Sequence, residues 1–188
     1  GQQIEFDVHV DRSTKARSPF FEIPVRVPKG VTRIDVSFKY DKSDDCLIDI
    51  GILDSTATDF PTRRGFRGWS GGARDHFFIA RDRATPGYYA GEIPEGRWEI
   101  LLGLYVLPAE GASVKLGMKA DDSARKLFVA PEPVRVRRDG AGWFRGDLHC
   151  HTYHSDAKGA PEVFAENTKS VGLNFLAVTD HNTTTQWQ

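Results

Sequence analysis

From residue 3 to about residue 129 apolar side chains recur at every second position, and no other feature constrains the fold of this chain as strongly. Ile4, Phe6, Val8 and Val10 alternate with polar residues, as do Phe21, Ile23, Val25 and Val27, and then Ile34, Val36, Phe38 and Tyr40. Ile48, Ile50 and Ile52 follow; after a long gap come Trp98, Ile100, Leu102, Leu104 and Val106, and then Val114, Leu116 and Met118. A period of two puts each set on one face of an extended strand. Turn-forming residues separate the sets at Pro28-Lys29-Gly30, Asp41 to Asp45, Pro94-Glu95-Gly96 and Glu110-Gly111. The pattern predicts a mainly β domain over 1–130, an antiparallel β-sandwich or jelly roll of about seven to nine strands, without a helix of convincing length.

One long interruption, Thr58 to Arg74, contains RRGFRGWSGGAR. It reads as a loop longer than a simple connection requires, and long ordered loops often carry function. Arg63, Arg64 and Arg67 are therefore candidate substrate contacts. The alternative is that these arginines stack on Trp69 and Phe66 or pair with carboxylates. In the later phrase ATPGYYAGEIPEGRW, Tyr88 and Tyr89 are expected to pack rather than to bind.

Residues 131–142 read as a linker rich in Pro, Gly and Arg, with Arg135, Arg137 and Arg138 as a solvated basic cluster. Beyond it, in 143–188, the pattern changes. Trp143 to His149 reads as a strand and Ala160 to Val171 as a helix, with Pro161 in its first turn and Gly172 after its end. Phe175 to Val178 is a continuous apolar run of the kind found in buried parallel strands. Strand, helix and strand together predict one βαβ unit, with ligands gathering at the carboxyl ends of its strands.

Those strand ends carry WFRGDLHCHTYHSD and Asp180-His181. Asp147, His149 and His151 recur at every second residue, so an extended strand presents them on one face. His149, His151, Asp156 and His181 offer neutral nitrogen and hard oxygen donors, a set suited to zinc, manganese or iron. His9 and His76 lie in the β domain and are read as structural. Cys150 is expected to be a buried free thiol on the opposite face of its strand, with a Cys46–Cys150 disulfide as the lesser alternative.

GDLHCHTYHSD and, one helix later, GLNFLAVTDHNT resemble the first two motifs of the polymerase-and-histidinol-phosphatase (PHP) superfamily of metallohydrolases. The first carries the HxH-T-x-x-S-D arrangement and the second TDH. Upstream, FRGWSGGAR and ATPGYYAGEIPEGRW resemble the β-rich region preceding the PHP domain in the CehA/McbA type. The resemblance implies a distorted (β/α)7 barrel holding two or three divalent metal ions. His149 and His151 would bind the first and Asp156 and His181 another, with Asp147 and Asp180 orienting imidazoles from behind. His154, at a variable position of the motif, is a candidate substrate contact, with a solvent-exposed side chain as the alternative. It further implies hydrolysis by a metal-bound water, with no protein side chain assigned as general base. A small phosphoester is the expected substrate, with a carboxylic or carbamic ester as an alternative.

Two strands and a helix do not close a barrel, so the chain reads as the amino-terminal part of a longer enzyme, its barrel incomplete. Taken alone, this piece is expected to be inactive unless another chain or an oligomer contact completes it. The competing reading is a β-sandwich binding module with an inert PHP remnant. A formal net charge of −1 offers no broad nucleic-acid surface. No apolar run reaches the ~20 residues of a membrane span. With only two cysteines to judge by, a cytoplasmic location is favoured over a secreted or periplasmic one.

Overall fold

A computed structural model describes residues 1–132 and 140–187; the basic cluster at Arg135, Arg137 and Arg138 lies outside the described residues. Eight strands form before the linker: β1 (Gln2–Val10), β2 (Phe20–Val27), β3 (Arg33–Lys39), β4 (Leu47–Leu53), β5 (Phe66–Ser70), β6 (His76–Ala80), β7 (Gly96–Val106) and β8 (Ala112–Asp121). They make two four-stranded sheets, ordered β1-β8-β3-β6 and β2-β7-β4-β5, with every pairing antiparallel. Alternate residues of both sheets meet in one core that includes Val36, Ile50, Phe77, Trp98, Leu102 and Met118. Each such side chain contributes about 1.5–3 kcal/mol by leaving water, which is what holds the two sheets face to face as a β-sandwich.

One local expectation is corrected. The interruption at Thr58 to Arg74 is not all loop, because β5 pairs with β4 inside it, with Gly51 opposite Trp69. The strand escapes a search for alternation because Arg67 and Gly68 occupy buried positions that such a search expects to be apolar. Gly68 is required there: with φ +134, a Cβ at this position would lie 2.5 Å from Tyr88 Cδ1. A helix is also present in the β domain, the six-residue α1 (Arg12–Arg17). It is held by a capping box in which Asp11 Oδ1 accepts from Thr14 N at 2.8 Å while Asp11 N donates to Thr14 Oγ1.

The sandwich has a second apolar cluster, on the outer face of the β2-β7-β4-β5 sheet. Leu53, Trp69 and Leu101 form it, with Phe20, Phe60 and Phe66 packed around them. Two glycines make it feasible. A Cβ on Gly51 would lie 2.3 Å from Trp69 Cε3, and one on Gly103 would lie 2.7 Å from Trp69 Cζ2. The indole therefore lies flat across two strands that have no side chain beneath it.

After the linker come β9 (Gly146–Cys150), α2 (Pro161–Ser170) and β10 (Phe175–Val178), and β9 and β10 pair in parallel. The first strand is shorter than Trp143 to His149 at its start, because its partner offers only four residues and pairing begins with Phe175 opposite Gly146. Helix α2 starts with Pro161 in its first turn and closes where Gly172, at φ +73, donates its N–H to Lys169 O. No residue of α2 is buried, and Leu148, Val163 and Phe175 are exposed. A turn at Thr185–Trp187 docks this segment on the sandwich: Gly87 N donates to Thr185 Oγ1 at 2.9 Å, and the Tyr89 and Thr184 hydroxyls meet at 2.9 Å. Among the described residues no helix is long and apolar enough to cross a membrane.

Candidate metal centre

The parallel pairing of β9 and β10 brings together residues roughly thirty positions apart. Asp147 and His149 leave the strand from one face, and His151 follows just beyond its end. His149 Nε2 and His151 Nε2 are 2.8 Å apart. Around Asp156 the imidazoles of His151 and His181 converge, with His151 Nδ1 at 3.5 Å and His181 Nε2 at 3.6 Å from its carboxylate oxygens. The rings of His151 and His181 stack at 4.5 Å. One ligand atom each from His151, Asp156 and His181 falls within a span of 4.8 Å.

His151 Nδ1 is shielded from solvent and has no hydrogen-bond partner among the described residues; Asp156 is close to it but not aimed for one. An imidazole nitrogen buried without a partner is costly unless something else occupies its lone pair. Two nitrogens and a carboxylate at this spacing are a donor set that can hold a divalent cation, since ligand atoms about 2.0–2.2 Å from zinc sit roughly 3.3 Å apart. The residues present therefore fit the metal that the resemblance implies. His151 takes part in both halves of the cluster, one ring nitrogen facing His149 and the other facing Asp156.

Asp147 and Asp180 do not hold imidazoles. Asp147 Oδ1 accepts from the backbone N–H of His149 at 2.9 Å. Asp180 accepts from Thr152 N, Thr152 Oγ1 and Ser155 Oγ, each at 2.6 Å. Partial burial alone would push the Asp180 carboxyl up, but these donors outweigh it and hold it below the usual carboxylate range. The consequence is a pinned turn from Thr152 to Asp156, with Thr152 fully buried. Sequence alone assigns no role to Thr152 or Ser155. Their signal was the T-x-x-S spacing within the first motif.

His154 is turned away from the cluster. Its Nδ1 meets Thr185 Oγ1 at 2.8 Å and its ring stacks on Tyr153, so it belongs to the junction with the sandwich, and burial there lowers its pKa. Arg67 is not a free contact either. It is 7% exposed, pairs with Asp54 at 3.3 Å and donates to the carbonyls of Tyr89 and Glu92, the carboxylate-pairing alternative for this loop. Arg63 and Arg64 are exposed beside Gly65, before β5.

A cavity of about 440 Å3 adjoins the cluster, with Asp156 and His181 on one side and Lys42, Asp49, Trp69 and Arg74 of the sandwich on the other. Lys42 donates to Gly72 O at 2.6 Å and Arg74 to Tyr153 O. Tyr88 packs as expected, buried and stacked on Phe77 at 3.9 Å, and burial raises its phenol pKa far above the ordinary value. Tyr89 instead helps to hold the C-terminal turn. Cys46 is buried and Cys150 half-buried; both are free thiols, so the disulfide alternative is not formed. His9 and His76 lie on β1 and β6, where they meet Ser113 and Asp35. No protein-family model and no curated protein matches this chain.

Proposed function

We propose that this chain belongs to a PHP-type, metal-dependent hydrolase of the CehA/McbA kind, acting on a small phosphoester. The observation that carries this reading is the convergence of His151, Asp156 and His181, with His149 alongside, beside a walled cavity. His149, His151, Asp156 and His181 are the residues that would hold zinc, manganese or iron. When bound, such ions supply Lewis acidity, lowering the pKa of water and polarising an ester oxygen.

The chain's own residues account for the rest. The hydrogen bonds from Thr152 and Ser155 to Asp180 fix the turn that carries Asp156. Lys42 and Arg74 give the opposite wall positive charge, which complements a phosphoryl group. The sandwich is thus a wall of the site as well as a support for it.

The test is metal stoichiometry on this chain together with hydrolysis by the protein that contains it. Bound ions near one or more per chain, lost in His149→Ala and His181→Ala, are expected. Turnover of p-nitrophenyl phosphate in preference to p-nitrophenyl acetate is expected as well; the reverse preference would favour a carboxylic ester. A second reading, a β-sandwich binding module with an inert remnant, is favoured by the exposure of Asp156 and His181. Absence of stoichiometric metal would decide for it.

A further inference from the structure

The outer-face aromatic cluster encloses a cavity of about 540 Å3 beside Trp69. Three of its walls are rings set as a corner. Phe60 lies parallel to Trp69, with 3° between planes and 6.4 Å between centroids, while Phe20 stands nearly perpendicular to both. Tyr105, largely exposed, lines the mouth. Among the described residues one charged side chain lines this cavity, Asp49. Its Oδ2 accepts from Trp69 Nε1 at 3.3 Å, and among the described residues it has no other hydrogen-bond donor.

A carboxylate set among aromatic faces is an unfavourable site for an anion and a weak one for a neutral apolar molecule. It suits an alkylammonium, whose charge is attracted both by the carboxylate and by the ring faces within about 6 Å. The cations nearby do not fill that role. Lys42 draws on Asp49 electrostatically, yet its ammonium is bonded to Gly72 O, and neither it nor Arg74 lines the aromatic cavity. Burial raises the Asp49 carboxyl, as expected of a charge that lacks a full complement of partners.

The aromatic cavity and the one beside the histidine cluster are contiguous, since Asp49, Trp69, Tyr105 and Asn182 line both. A molecule with one end in the aromatic corner therefore extends toward Asp156 and His181. We propose that this corner binds an alkylammonium group and that the substrate of the adjoining cluster is a phosphoester carrying one. The second half of this statement rests on the hydrolase reading above; the first does not. Asp49 stands where the two cavities meet, within reach of a cation in the aromatic corner, whereas of these two cavities Lys42 and Arg74 line only the one beside the histidine cluster, where the phosphate would lie. Hydrolysis then needs only water: its oxygen goes to phosphorus, the bond from phosphorus to the alcohol oxygen breaks, and a proton ends on the released ammonium alcohol.

Choline and its neutral isostere 3,3-dimethyl-1-butanol are the probes, used on the full chain with chelator present so that no metal takes part. The readout is the Trp69 indole N–H resonance, identified by its loss in Trp69→Phe. Choline is expected to shift it saturably and to bind about tenfold or more tightly than the isostere. Asp49→Asn should abolish that preference. Phe60→Leu, which leaves the charge in place, should weaken choline binding several-fold. His151→Ala should bind choline as the wild type does, so a failed metal site and a failed ammonium site give different results. Equal binding of the two probes, an unmoved resonance, or an unchanged preference in a folded Asp49→Asn would overturn the proposal.

Discussion

His149 and His151 point their Nε2 atoms at each other across 2.8 Å, a separation that accommodates one proton or one shared cation. Without a metal the two nitrogens share a hydrogen bond; a divalent ion would replace that proton and take both as ligands. Replacing either by Ala is expected to weaken zinc binding by at least about tenfold. Competition against a chromogenic chelator measures this, and His9→Ala, altered on β1 in the sandwich, should leave the affinity unchanged. Equal loss in all three variants would count against the assignment.

Arg67 and Asp54 form a buried pair, each side chain 9% exposed. Burial lowers the guanidinium pKa and Asp54 pushes it back up, so the carboxylate offsets part of what it costs to bury the charge. Removing one member leaves the other buried without compensation. Arg67→Met is therefore expected to destabilise the sandwich by about 3 kcal/mol or more. The midpoint of urea unfolding measures it, and adding Asp54→Asn should recover part of the loss.

The flat seat of Trp69 gives a non-additive expectation. Gly51→Ala places a Cβ 2.3 Å from the indole, and overpacking of this kind costs about 1–3 kcal/mol. In a Trp69→Leu background most of that cost should vanish. A double-mutant cycle on unfolding free energies tests it; additive effects would mean that the indole yields freely.

Asp49 links recognition to stability with a definite sign. Burial raises its folded-state pKa, so the folded chain holds the proton more tightly than the unfolded chain does. Stability therefore falls as pH rises from the unfolded value near 4 through the folded one, and the loss remains at neutral pH. Asp49→Asn is expected to melt above the wild type at pH 7, with the gap closing below about pH 4. Thermal unfolding across that range measures it.

Much of the sandwich is legible in the sequence because alternation is a local property. Strands β1 to β4, β7 and β8 each carry several inward-facing apolar residues. Strand β5 is hidden because Arg67 is buried by its ion pair and Gly68 by the approach of Tyr88, neither of which local periodicity registers. The outer aromatic cluster is hidden for another reason. It depends on Gly51 and Gly103 both lying beneath Trp69, a consequence of pairing across three strands. At the histidine cluster the donors could be named from residue type and spacing. The parts played by Asp180, Thr152 and His154 could not, because each depends on how the turn after β9 folds back on β10 and on the sandwich.

Because Trp69 and its neighbours sit outside the sheet, the sandwich keeps two apolar clusters, one sealed between the sheets and one open to a cavity, that share a sheet but not their contents. The inner one sets whether the domain folds; the outer one can be rewritten through Phe20, Phe60 and Phe66 with the interior left sealed.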